Sequence, residues 1–230
     1  FPRVVREARQ RARCTMTARS PAVDLLLARV RAAVRAQPVS VAEVPAHTVV
    51  RRIARDAANL AELFAAKAQA VGMRVTRVDD AGLDATLAKL LEARGTTVVA
   101  VRDAALAARA SAAAGARLAP NDNADLLFDC EVGVTDVDCA IAESGSLVVS
   151  TNGRIRNAWV TPPIHIAIVR ASQILPDLVD LFETRPDTLD AASTTIITGP
   201  SKTADIEGVL VTGVHGPAAV EIVLVDQAAP

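Results

Sequence analysis

The chain of 230 residues contains no tyrosine, one tryptophan and four phenylalanines. Binding of single-stranded nucleic acid or of sugars draws on aromatic stacking, so the composition argues against stacking platforms for either. There are three cysteines, Cys14, Cys130 and Cys139, with no Cys-x-x-Cys among them. An odd, scattered set argues against a disulfide framework and offers too few close ligands for an iron–sulfur cluster. Buried free thiols in a reducing cytoplasm are the expectation. No apolar run approaches the ~20 residues that span a bilayer. Charge of one sign is also missing: 25 Lys and Arg face 26 Asp and Glu, so no net field draws the chain to nucleic acid or acidic lipid. The histidines His47, His165 and His215 are too far apart to announce a metal site, and none is expected.

What is present fits a globular α/β protein. Apolar residues make up 51% of the chain and charged residues 22%, enough for one large domain with its own core. Residues 1–15 are Arg-rich, and "MTARSPAVD" from Met16 reads better as a natural start than the preceding segment reads as a transit peptide. Ser20-Pro21 opens a helix with Val23, Leu26, Leu27, Val30 and Val34 on one face. Residues 1–45 are thus an N-terminal helical extension, and 46–230 a single α/β domain.

Within that domain Thr48 is expected to cap a long helix that Gly72 stops. Strand and helix then alternate: Met73–Val78, Leu83–Ala93, Thr96–Val101 and Asp103–Ala114. This order predicts a Rossmann-like, mostly parallel sheet with helices packed on it. From Asp125 short strands follow, with "CAIAE" and "SGSLVVST" reading as two strands about a Ser-Gly turn. Pro162–Arg170, Ser193–Pro200 and Ala218–Asp226 read as strands, and Pro176–Arg185 as a helix.

Three stretches carry candidate chemistry. In "ITGPSKTADI", residues 197–206, Gly199-Pro200 breaks a strand and Ser201 is expected to start a helix. Free N–H groups of its first turn, with Ser201, Lys202 and Thr203, would receive an anion. A P-loop is excluded, because the positions that need glycine hold Ser201 and Ile196. Asp205 would hold Lys202 or bind a substrate hydroxyl. The plainer reading has equal weight: Ser201 or Thr203 caps a helix and Asp205 offsets its dipole. In "GVHGP", residues 213–217, His215 lies between glycines before a strand. It serves there as acid, base or donor, or simply as a structural hydrogen bonder. In "AIAESGSLVVS" Glu143 precedes Ser144-Gly145-Ser146, as a base, a nucleophile or a solvated turn acid. No G-x-S-x-G and no G-x-G-x-x-G occurs, which removes support for serine-hydrolase and dinucleotide readings.

Taken in order, "GVTDVDCAIAESGSLVVSTNGR", "PPIHIAIV", "ITGPSKTADIEGVLVTGVHGP" and the last apolar strand resemble the LUD-domain family. The resemblance is dense from Asp125 to Asp226. Ser144, Ser146 and Lys202 replace the family's two threonines and arginine; charge and hydroxyls are kept, the bidentate fork is not. The resemblance implies a fold similar to the sugar-phosphate isomerase and CoA-transferase superfamily. It implies a part in oxidising L-lactate to pyruvate, as a component of a complex rather than an enzyme alone. Two partner proteins would carry the iron–sulfur clusters, with no cofactor in this chain. Glu143, Asp205 and His215 would be the catalytic candidates. Gly145, Gly199, Ser201, Lys202, Thr203 and Gly216 would bind a small carboxylate or phosphate. The alternatives are a self-sufficient isomerase- or CoA-transferase-like enzyme using Glu143, and a non-catalytic scaffold. The two loops are expected to be neighbouring rims of one pocket.

Overall fold

The computed structural model describes residues 20–36, 52–54, 59–94, 98–99, 104–115, 118–119, 128–151, 156–204 and 208–226. The chain divides into two compact units, Phe1–Val50 and Arg51–Pro230. In the first, helix α1 (Pro21–Ala36) starts where Ser20-Pro21 predicts. The Ser20 carbonyl accepts from the Val23 and Asp24 N–H groups at 2.9 and 3.2 Å. Residues 1–15, Cys14, His47 and Thr48 lie outside the described residues.

The second unit begins its regular structure with helix α2 (Leu60–Ala70), strand β1 (Arg74–Val78) and helix α3 (Leu83–Glu92). Then come β2 (Val98–Val99), α4 (Ala104–Ala114), β3 (Leu118–Ala119) and β4 (Val132–Asp136). A hairpin of β5 (Cys139–Ile141) and β6 (Ser146–Ser150) follows, then the short helix α5 (Asn157–Val160) and β7 (Ile164–Arg170). β8 (Ile174–Leu175), α6 (Leu178–Thr184) and α7 (Pro186–Leu189) lead to β9 (Thr194–Ile197). The last elements are β10 (Lys202–Thr203), β11 (Val211–Thr212) and β12 (Ala219–Val225).

The expected parallel sheet is present. Among the described residues it has six strands in the order β1-β12-β7-β4-β2-β3, and every pairing is parallel. Its central strands are mostly apolar because both faces are covered, with Thr135, His165 and Glu221 as buried polar exceptions. One face buries Val132, Val134, Ile166, Ile168, Val223 and Val225 against Leu83, Leu87 and Leu91 of α3 and Leu106 and Ala110 of α4. The 4-residue spacing of those leucines is what makes α3 a one-sided helix. The other face buries Ala167, Val169, Ile222 and Leu224 against Phe64 and Ala68 of α2, against Trp159, and against a second sheet. That second sheet has the order β8-β5-β6-β9. Among the described residues no helix is long and apolar enough to cross a membrane.

The helix expected from Thr48 to Val71 is shorter: α2 begins at Leu60, and residues 52–54 are irregular. The reason lies in Arg52. Its guanidinium reaches Asp177 Oδ2 at 2.7 Å and Asp180 Oδ2 at 2.9 Å, and the Ile53 N–H donates to Asp177 at 3.3 Å. Asp177 is also the N-cap of α6, accepting from the Val179 and Asp180 N–H groups. Both carboxylates are buried. Burial alone would lift the Asp177 carboxyl, but the Arg52 bond and the two backbone N–H bonds overcome it and hold it at about 2. Because that value lies below the ordinary one, its contribution to stability is complete above the unfolded value near 3.8 and is lost as pH falls toward 2. Arg52→Ala should lower the melting temperature at pH 7. It should also raise the Asp177 carboxyl in an NMR titration; an unmoved titration would mean that the backbone N–H groups alone hold it down.

Candidate functional site

The two glycine-rich loops meet. The Ser201 N–H donates to the Pro217 carbonyl at 2.9 Å, and the Gly213 N–H donates to the Ser201 carbonyl at 2.9 Å. Gly216 lies against Ser201, where an added Cβ would stand 3.2 Å from the serine Cβ. Between the loops is a cavity of about 240 Å³ that includes Gly199, Ser201, His215 and Gly216 in its wall. Thr195 and Thr198 add hydroxyls, while Trp159 and Val220 form an apolar side. The Trp159 indole N–H is already used, donating to Thr195 Oγ1 at 3.2 Å.

The means of holding these loops differ from the expected ones. Residues 202–203 are not the start of a helix but strand β10, paired antiparallel with β11 through Lys202↔Thr212 and Thr203↔Val211. No helix N-terminus therefore faces the cavity from Ser201. The backbone bonds to Gly213 and Pro217 take the Ser201 segment into a hairpin before a helical turn can close. Nor does the cavity sit at the carboxyl ends of the large sheet. It lies at the amino ends of β7 and β12, next to Pro217 and Val220.

Gly145 and Gly199 serve the scaffold. Both have positive φ, +68° and +90°. A Cβ on Gly145 would stand 2.2 Å from the Ala68 nitrogen, and one on Gly199 would stand 2.6 Å from the Val71 carbonyl oxygen. Both turns therefore press on the last part of α2 and on the residue that follows it. At Gly145 the place that a side chain would take is filled by the backbone of α2.

Lys202, exposed, and Thr203, half-buried, lie on β10 beside the cavity rather than in its lining. Glu143 is exposed in the turn between β5 and β6, its N–H donating to the Pro176 carbonyl at 2.9 Å. Its neighbours connect it to the cavity: Ser144 Oγ lies 2.7 Å from Ser146 Oγ, which lies 2.7 Å from Thr198 Oγ1. That run of three hydroxyls ends at the cavity wall and was not foreseen. Its sequence signal was the hydroxyl spacing Ser144-x-Ser146, whose partner Thr198 stands 52 residues later. Asp205 lies outside the described residues.

His165 sits deeper, fully buried on β7, with Nε2 2.8 Å from Thr135 Oγ1. Its Nδ1 has no hydrogen-bond partner among the described residues. Burial pushes the imidazole down to about 4, so the ring is neutral at pH 7. Cys130 and Cys139 are buried and in no disulfide among the described residues, and burial lifts the Cys139 thiol to about 11. A thiol so placed is inert at neutral pH.

A model of the LUD domain matches residues 61–225. The chain belongs to the LUD-domain family. It is 32% identical over 179 residues to lactate utilization protein C of Exiguobacterium sp., a match covering 72% of this chain and 77% of that protein. It is 38% identical over 112 residues to lactate utilization protein C of Geobacillus sp., covering 46% of each. With that of Bacillus subtilis it shares 37% over 101 residues, 41% of this chain and 42% of the relative. The last two matches thus span less than half of the relatives. Among solved structures, a DUF162 family protein from Deinococcus radiodurans superposes with a TM-score of 0.57 over 75% of this chain and 99% of that one. At 19% identity that likeness establishes the fold alone.

Proposed function

We propose that this LUD-domain chain takes part in lactate utilization, as a substrate-handling subunit of an iron–sulfur-dependent system that oxidises L-lactate to pyruvate. The observation that carries the reading is the cavity shared by the Ser201 and His215 loops, in a chain whose relatives are named lactate utilization protein C. Lactate offers a carboxylate, a hydroxyl and a methyl group. Ser201, Thr195 and Thr198 supply hydroxyls, His215 supplies an imidazole, and Trp159 and Val220 supply an apolar wall. Lys202 stands beside Ser201 as the nearest lysine in sequence and favours an anion. In this reading His215 accepts the hydroxyl proton, and Ser201 and Thr198 fix the orientation. Asp205, two positions after Thr203 in sequence, is the further candidate for the substrate hydroxyl. Oxidation to pyruvate releases two electrons and two protons: His215 would take the hydroxyl proton, and the two electrons and the Cα proton would go to the partner proteins that carry the clusters, so this chain would contribute binding and proton handling.

The test is lactate-dependent dye reduction by the reconstituted three-protein system. Leaving this chain out should abolish the rate, and His215→Ala and Ser201→Ala should each lower it tenfold or more, with unchanged circular dichroism. Equal rates with and without the chain would remove the reading.

A further inference from the structure

Strands β7 and β12 are seven residues long, so their two ends lie about 20 Å apart at ~3.3 Å per residue. The Ser201–His215 cavity is at the amino ends. At the carboxyl ends there is a second cavity, of about 120 Å³. Leu83, Leu106 and Ile168 form its apolar lining, and Arg109, Arg170 and Asp136 its charged lining. Arg170 is anchored there: its N–H donates to Gln173 Oε1 at 2.8 Å, and Gln173 Nε2 donates to the Val137 carbonyl at 2.8 Å.

One carboxylate spans the two guanidiniums. Asp80, just after β1, takes Arg109 Nη2 at 3.2 Å on one oxygen and Arg170 Nη1 at 3.0 Å on the other. Asp80 is itself 58% exposed. Arg109 Nη1 is buried and has no hydrogen-bond acceptor among the described residues; Asp84 Oδ1, at 3.4 Å, is a nearby charge. A guanidinium whose buried Nη1 makes a long ion pair to Asp84 but no hydrogen bond among the described residues, a second guanidinium beside it and an apolar lining form the parts of a carboxylate site. Its place also fits, since open parallel sheets bind ligands outside the carboxyl ends of their strands.

We propose that this cleft binds a short-chain carboxylate, which takes the position that the Asp80 carboxylate holds in this structure. Exposed ion pairs are weak, so Asp80 gives way at small cost. The incoming alkyl end gains burial on Leu83, Leu106 and Ile168, which Asp80 does not provide. With Asp80 displaced, Arg109 and Arg170 face Asp136 and Asp84, so the charges balance, and selection of the ligand rests on the guanidinium geometry and the apolar lining rather than on net charge. A volume of about 120 Å³ limits the ligand to a few carbons. The proposal depends neither on the lactate reading nor on the Ser201–His215 cavity.

The experiment titrates the full chain with propionate in low-chloride buffer. Binding is read at the Arg109 and Arg170 Nε–H signals by NMR, so propionate at the other cavity does not register. Asp80→Asn should tighten binding about tenfold, as removal of an internal competitor requires. Arg170→Gln, read at Arg109, should weaken it at least tenfold. Arg170→Lys, which keeps the charge and loses the fork, should also weaken it and covers the case in which the glutamine variant fails to fold. Unchanged or weaker binding by Asp80→Asn overturns the proposal. So does inorganic phosphate binding as tightly as propionate, which would make the cleft a general anion trap.

Discussion

Gly145→Ala should destabilise the domain by about 3 kcal/mol, through two separate penalties. A left-handed backbone costs a non-glycine residue roughly 1 kcal/mol, and Gly145 has φ +68°. The larger penalty is steric. The new Cβ would meet the Ala68 nitrogen at 2.2 Å and the Lys67 carbonyl carbon at 2.5 Å. These are backbone atoms within α2, so no rotamer change relieves the overlap; the helix must move, and overpacking of this kind costs about 1–3 kcal/mol. For a domain of this size the melting temperature should fall by roughly 6–12 °C. Gly115→Ala is the control, because its φ of +59° is similar and nothing lies within 4 Å of the added Cβ. It should lose only the left-handed cost. Equal losses at the two positions would show that the contact with α2 contributes nothing. If Gly145→Ala instead folds like wild type and loses only ligand binding, the glycine was there for a ligand.

The second large effect belongs to His165. Its folded value, about 4, lies below the ordinary 6.5, so the unfolded chain takes up the proton first as pH falls. The neutral ring's contribution is therefore complete above 6.5 and is lost progressively between 6.5 and about 4. By pH 4.5 the loss should reach about 2.5 kcal/mol, before most carboxylates have titrated. The urea midpoint at pH 7 and at pH 4.5 measures it. In His165→Gln, whose amide can still reach Thr135, most of the difference between the two midpoints should disappear. An unchanged difference would assign the acid sensitivity to other groups. Among the described residues no acceptor waits at Nδ1 for the protonated ring, which is why burial dominates here.

Much of the architecture was legible because the signals were local. The 4-residue leucine spacing of α3 and the apolar runs of β7 and β12 each announce an element without reference to the rest of the chain. Residues 83–92, 164–170 and 219–225 accordingly fall within a residue or two of expectation. What failed depended on distant partners. Gly199-Pro200 followed by Ser-Lys-Thr is as good a helix start as a sequence offers, yet the segment pairs with β11. The decisive bonds come from Gly213 and Pro217, which no window around Ser201 contains. Arg52 likewise finds Asp177 and Asp180 more than a hundred residues away, and that clasp shortens the expected helix.

The site shows the same division. That Ser201, His215, Gly199 and Gly216 belong together was readable, because glycine and proline on both sides of two short runs imply close backbone approach. The sequence left open what was being approached. For Gly145 the close neighbour is α2 and for Gly199 it is Val71 just after it, while Gly199 also lines the cavity, and glycine looks the same in either case. The Arg109 and Arg170 pair was invisible for a different reason. Its members lie on α4 and at the end of β7, and only the sheet order brings them to one carboxylate.

The sheet order has a consequence for how the protein comes into being. β12, the last strand in sequence, is not at an edge but between β1 and β7. During synthesis the earlier strands leave the ribosome with that middle place vacant. Until residue 225 has emerged, β1 lacks the strand it pairs with among the described residues, and β7 presents an open edge. The nascent chain must therefore wait in two pieces, and sheet closure joins residues 74–78 to residues 221–225 across the whole domain. Such long-range closure is slow, and the waiting edges are places where a second nascent chain can add. Chaperone occupancy during translation should thus be longest just before the final strand appears.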